Sequence, residues 1–418
     1  MTGGRSRGLF WPLLVVHAIL VQVISYGIRP SLSYAVLDLG YGSAWLAVVA
    51  AMFAIPPLVL AIATGRLVDR MGERPSMVIG AAALAGSSVL AYLGSAQIAL
   101  LITATALLGI GIIFSMVGEQ SAVAGRARDR GLDSVFGVYT FVTSLGQGVG
   151  PLLLLLPSDP GTQSPPLEPI AAACGVASLV TLAVSFGFGT HHWAASPSAS
   201  PADSESPAGP DSPAGSSAGS SSSVPEGRRW PAQRLLAIPG MWRALLVSGL
   251  ILASIDVTLA YLPALAHSRG IAPGWVTAML AARAVMQMVS RINLAQLVRR
   301  LGRRRLTVLA CAVSALALCG LTLPVPVAVL VTLTAVYGFA AGVCQPITMG
   351  WVTQLAPAGT RGTVLSLRIA GNRLAQTVIP AMSGAAAVMG GVSGVLVVTG
   401  ATLGAAAWSA SAVPDTED

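Results

Sequence analysis

The sequence predicts an all-α polytopic membrane protein with 12 transmembrane helices in two pseudo-symmetric six-helix halves. Three observations carry this. The chain is 54% hydrophobic and only 10% charged, against about 25% charged residues in soluble domains. Its apolar windows, each able to cross ~30 Å of hydrocarbon with about 20 residues, fall six before and six after one Ser/Pro/Gly/Ala-rich segment. Its arginines gather in alternate gaps between the windows, the asymmetry of a chain threaded repeatedly through a bilayer.

The first six windows lie near 9–30, 44–64, 76–94, 97–122, 134–156 and 169–190. The first follows Arg5 and Arg7 as a signal peptide would, but its length and the spans after it mark a retained anchor. The second six lie near 242–265, 275–297, 306–323, 327–354, 363–388 and 392–411. This divides the chain into an N-terminal bundle, 1–190, a linker, 191–240, and a C-terminal bundle, 241–418. The linker contains "SPSASPADSESPAGPDSPAGSSAGSSSSVPEGRR", too poor in large apolar residues to bury a core, and is expected to be disordered.

Gaps carrying Arg66, Arg70 and Arg74, then Arg126, Arg128 and Arg130, then Arg228 to Arg234, Arg299 to Arg305 and Arg361 share one side. The opposite gaps "LGSAQ", "PSDPGTQSPPLEP" and "LPVP" have no basic residue. The positive-inside rule therefore puts both termini and the linker in the cytoplasm. Trp11, Trp45, Trp193, Trp242, Trp275, Trp351 and Trp408 sit at span ends, where indoles favour the headgroup region. The expected location is a bacterial inner membrane, with the lipid bilayer as surroundings and the chain acting as a monomer. The net charge of +8 comes from arginines scattered among the gaps, so it forms no nucleic-acid-binding face. Cys174, Cys311, Cys319 and Cys344 lie inside apolar runs without metal-ligand spacing and read as packing residues. No cofactor or metal is expected.

The halves echo each other. "GIIFSMVGEQSAVAGRARDRG" (Gly111 to Gly131) aligns with "GVCQPITMGWVTQLAPAGTRG" (Gly342 to Gly362), matching both end glycines and Arg130 with Arg361. Parallel six-span repeats place a ligand site between the halves near mid-membrane.

An ionisable residue inside a span costs at least ~2.5 kcal/mol and is a functional candidate by default. Asp256 and Arg373 fall near the middle third of their spans, while Glu119 lies ~10 Å inside Arg126 and Arg283 ~12 Å below Trp275. Arg283, Gln287 and Arg291 stack on one face at i, i+4, i+8, as do Arg368, Asn372 and Gln376 beside Arg373. Such stripes face protein or a polar cavity, because lipid cannot satisfy a guanidinium. Asp256, then Glu119, are the proton-coupling candidates, each with a fixed salt bridge as the alternative. Arg283, Gln287, Arg373, Asn372 and Gln376 are the substrate-cavity candidates, and Arg291 and Arg368 are gating or structural pairs. His17 is a relay member or a packed, hydrogen-bonded residue. Arg29 and Asp38, near the outer end of the first span, suit snorkelling or an outer gate better than ligand binding. The excess of embedded arginines favours an anionic, zwitterionic or amphiphilic substrate over a lipophilic cation.

One charged stretch is more specific than a positive-inside loop. "GRLVDRMGERP" (Gly65 to Pro75) resembles the loop between spans two and three of the major facilitator superfamily, Gly-x-x-x-Asp-Arg-x-Gly-x-Arg followed by a basic residue. Gly65, Asp69, Arg70, Gly72 and Arg74 fit, and Pro75 replaces the last basic residue. The resemblance implies alternating access, with this loop as a cytoplasmic gate: Gly65 permitting close helix approach and Asp69 pairing with arginines or a helix N-terminus. The second-half counterpart, "AQLVRRLGRRR", keeps Gly302 but has Arg299 in place of the acid. In span five, Gly137, Gly146, Gly150 and Pro151 resemble the signature of the superfamily's drug:proton antiporters, although Leu154 and Leu155 stand where two glycines close it. Ordinary glycine-mediated packing explains the same residues. The arginine such antiporters carry in span four is missing from "LLGIGIIFSMVGEQSAVAG".

The leading expectation is a secondary active transporter exporting a small organic compound, such as a drug, antibiotic or secondary metabolite, against protons. The alternative is a proton-coupled importer or facilitator of a small metabolite. A membrane enzyme is disfavoured, since there is no Gly-x-Ser-x-Gly, His-Glu-x-x-His or phosphate-binding glycine loop. A non-transporting receptor would not need charges at mid-membrane.

Overall fold

A backbone surrounded by hydrocarbon must satisfy its own hydrogen bonds, so long apolar runs fold as helices. The computed structural model describes residues 3–126, 132–157, 164–188, 232–357 and 361–412, and these are almost entirely helical. The first half holds α1 (Gly3–Asp38), α2 (Ala44–Met71), α3 (Glu73–Leu93), α4 (Ile98–Arg126), α5 (Leu132–Val149) and α6 (Leu167–Phe186). A short α7 (Ala232–Leu236) precedes α8 (Met241–Ser268), α9 (Pro273–Ile292), α10 (Leu294–Leu301), α11 (Arg303–Gly320), α12 (Val327–Gln354) and α13 (Arg361–Ser411). Most of the predicted linker lies outside the described residues, but its last part forms α7, whose Leu235 is buried.

Among the described residues, nine helices are long and apolar enough to cross a membrane by length and composition. Twelve spans result because α13 breaks at Gly391 (φ 58°, ψ −151°) into two crossings, and because α9 and α11 also cross. Arg283, Gln287 and Arg291 lower the hydropathy of α9, and Arg303 to Arg305 begin α11.

The repeat is visible in the backbone. α2 stops where Gly72 takes φ 82° and returns its N–H to the Val68 carbonyl at 2.9 Å. In the second half Gly302 takes φ 73° and bonds the Val298 carbonyl at 2.9 Å. Both positions need a residue tolerant of positive φ, which explains why glycine survives in both copies when the acid does not.

Within each half, small residues bring backbones together, as membrane helix pairs require. A Cβ at Gly80 or Gly111 would strike the opposing backbone or side chains between α3 and α4, and one at Gly338 would strike the Arg283 backbone on α9. Between the halves, α1 packs on α8, α2 on α13, and α5 with its continuation on α9. These contacts position the polar residues described next.

Candidate functional site

Two buried acids have very different settings. Glu119, on α4, accepts from Tyr139 of α5 through Oε2 at 2.8 Å, and its Oε1 lies 2.7 Å from His17 Nδ1 of α1. His17 Nε2 lies 3.1 Å from Ser185 Oγ of α6, and that hydroxyl already donates to the Thr181 carbonyl at 2.8 Å. The imidazole thus links α1 to α4 and α6, with its donor and acceptor roles set by its tautomer. His17 and Glu119 are fully buried, and Phe188 meets the imidazole edge-on at 6.0 Å. Every one of these residues belongs to the first half.

Asp256, on α8, instead joins the halves. Its Oδ1 accepts from Arg29 Nη1 of α1 at 2.7 Å, and its Oδ2 accepts from Gln376 Nε2 of α13. Gln376 in turn accepts from Arg373 at 3.2 Å. The Arg29 guanidinium lies 3.9 Å above the Phe53 ring of α2, a cation–π contact on its remaining face. The Arg29 and Asp256 side chains are only 7% and 9% exposed, so their attraction is weakly screened and their separation from one another costly.

Arg29 lies deeper in its helix than the sequence expectation placed it. The hydropathy window ended near residue 30, but α1 continues to Asp38, leaving Arg29 roughly 13 Å inside the helix end. Asp38 does occupy that end: it accepts from Ser164 at 2.7 Å and lies 3.7 Å from His267 of α8. His267 was missed because a lone histidine at a span end carries no pattern. Beside it, a cleft of about 300 Å³ is lined by Leu37, Ser43, His267 and Gly390 to Ser393.

The α9 stripe faces protein as its spacing predicts. Arg291 Nη1 donates to the Thr140 carbonyl of α5 at 2.9 Å and to Ser144, while Nη2 donates to Gln345 of α12 at 2.9 Å. Arg291 is thus a structural tie between halves, and Arg368 bonds the Gln345 carbonyl at 3.2 Å. Arg283 and Gln287 are buried, and the Arg283 guanidinium lies 5.4 Å from the Tyr26 ring of α1. Its three nitrogens have no hydrogen-bond partner among the described residues. Asn372 Oδ1 is also buried and unpartnered.

The span-five glycines lie where α5 meets α1. A Cβ at Gly146 would stand 2.7 Å from Gln22 Cβ, and one at Gly150 would stand 2.8 Å from Tyr26 Cβ. Pro151 begins the 3₁₀ turn Gly150–Leu155, and its carbonyl accepts from Thr277 of α9 at 3.1 Å. Gly137 lies in the part of α5 whose surroundings fall outside the described residues.

In the charged loop, Arg70 is exposed and Arg74 lies 5.5 Å from the Phe186 ring. No described atom lies within 4 Å of a Cβ placed at Gly65. The Asp69 side chain lies outside the described residues.

Twelve helical crossings, a repeated Gly turn and charges buried between the halves define a polytopic transporter rather than an enzyme. The chain belongs to the Major Facilitator Superfamily, whose family model matches residues 14–380 and again 245–417. Among curated proteins none matches the sequence. Solved structures do. A D-xylose-proton symporter aligns with TM-score 0.70 and 15% identity, over 98% of this chain and 99% of the symporter. The inward open xylose transporter XylE from E. coli aligns with TM-score 0.69 and 15% identity, over 98% and 97%. The nucleoside transporter NupG aligns with TM-score 0.68 and 11% identity, over 96% and 98%. At these identities the likeness establishes the fold.

Proposed function

We propose that the chain is a proton-coupled importer of a small organic solute, working by alternating access in a bacterial inner membrane with its arginine-rich end and both termini in the cytoplasm. The observation that carries this is the Arg29–Asp256–Gln376 link, which ties α1 to α8 and α13. Protonating Asp256 removes the negative partner of a buried guanidinium, so the arrangement that holds the two groups together loses its advantage. Because the partners sit on opposite halves, that local change biases the rocking of one half against the other. Glu119 does not fit this role, since its partners move with it.

Uptake is favoured over the export expectation for a physical reason. Of the span-five glycines, which alone favoured export, Gly146 and Gly150 are accounted for by close α1–α5 packing. A proton symporter also stands among the structures of similar fold. The reading is tested by comparing solutes inside cells that express the chain with those in cells expressing Asp256→Asn, each with and without a protonophore. The expected result is intracellular accumulation of a defined solute class that the protonophore and the variant both abolish. Depletion of solutes from the cells, or accumulation indifferent to the proton gradient, contradicts it.

A further inference from the structure

Arg283 stands apart from the other embedded arginines of the described residues. Arg29 has Asp256, Arg291 has three acceptors, and Arg368 and Arg373 have one each. Arg283 is fully buried, yet none of Nε, Nη1 and Nη2 meets an acceptor among the described residues. The two embedded acids are committed elsewhere, Glu119 to His17 and Tyr139 and Asp256 to Arg29 and Gln376. A bare guanidinium so placed is among the most costly things a protein interior can hold. The Tyr26 ring offers it one π face, which leaves the in-plane donor fork free.

Its setting is that of a ligand site. Arg283 sits on α9 opposite α1, where the two halves meet, and Tyr26 is one turn from Arg29 on the same helix. One turn along α9, Gln287 is buried with Oε1 unpartnered, an acceptor on the same face as the guanidinium. We propose that Arg283 receives the carboxylate of a small organic monoanion, which is the transported solute, and that Gln287 accepts from a hydroxyl or N–H of that solute. A planar guanidinium matches a carboxylate through two parallel hydrogen bonds. One unmet positive charge calls for one negative charge, which disfavours a phosphate dianion needing further donors. The proposal rests on the importer reading and names its substrate class: with one proton taken at Asp256, a monoanion would cross without net charge.

The test is thermal unfolding of the purified full chain in lipid nanodiscs with acetate, lactate and benzoate, each against its amide. At least one carboxylate should raise the unfolding temperature where its amide does not. Arg283→Gln should weaken that binding by on the order of 100-fold, and Arg283→Lys, which keeps the charge but not the fork, by less. Arg299→Gln, on the exposed face of α10, should change nothing. Without added anion, Arg283→Gln should unfold at the same temperature as the parent or higher, since it removes an uncompensated buried charge. Equal effects of acids and amides, no effect of any acid, or an acid effect that survives in Arg283→Gln would overturn the proposal. Should Arg283→Gln fail to fold, the Arg283→Lys comparison decides: unchanged affinity overturns the fork, and weakened affinity supports it. Carboxylates that bind through Arg283 but move no protons would leave this site standing and remove the coupled-uptake reading; proton-coupled uptake of neutral solutes would do the reverse.

Discussion

Glu119 and Asp256 are both carboxylates buried in the helical bundle, both with short hydrogen bonds to a basic partner and to a neutral one. They differ in where the partners come from. His17, Tyr139 and Ser185 share the first half with Glu119, whereas Arg29 reaches Asp256 from across the interface between halves. An acid held within one body can stabilise that body but cannot report its protonation to the other. An acid held between bodies does so necessarily. Burial and hydrogen bonding alone therefore do not mark a coupling residue; the location of the counter-charge does.

The largest expected effect separates the two. Asp256→Asn should shift the balance between arrangements of the halves by about 3 kcal/mol, on the order of 100-fold, so that uptake driven by a pH gradient in proteoliposomes collapses while the protein remains folded. Glu119→Gln should instead act on stability. It removes a carboxylate acceptor from a fully buried hydrogen-bonded pair, so its thermal unfolding temperature should drop by the equivalent of about 2–3 kcal/mol, with proton-driven transport retained in the folded fraction. A smaller effect sharpens the same contrast between contacts within and across elements. Gly150→Val places atoms where Tyr26 and the Val23 carbonyl already stand and should cost about 1–3 kcal/mol. Gly65→Ala meets open space within a helix and should be neutral or stabilising by about 0.5–1 kcal/mol. Unfolding of both variants in the same lipid checks the difference.

Much of the architecture was legible because membrane insertion reads the chain locally. Apolar length sets each span, and the Gly72 and Gly302 turns follow from a glycine repeated at a helix end. The α9 stripe was legible for the same reason, since helical spacing alone puts Arg283, Gln287 and Arg291 on one face. What could not be read was tertiary register. The Arg29–Asp256 pair spans 227 residues and the His17–Glu119 pair 102, and no local pattern says which face of α1 meets α8. Arg29 was misplaced because a hydropathy window closes at an arginine, while the helix itself runs on to Asp38. A complementary Arg and Asp in the first span of each half was the available signal.

The central claim is that Asp256, and not Glu119, sets the relation between halves by its charge. Spin labels at Gln97→Cys and Leu323→Cys, exposed beyond α3 and α11 at the end away from the arginine loops, report the distance between halves without any substrate. Asp256→Asn removes the negative charge from the pair with Arg29, so the arrangement that holds the two groups together loses its advantage. At one fixed pH, the label distance should be longer in Asp256→Asn than in the parent, and unchanged in Glu119→Gln. A distance unchanged in Asp256→Asn, or lengthened as much in Glu119→Gln, contradicts the account.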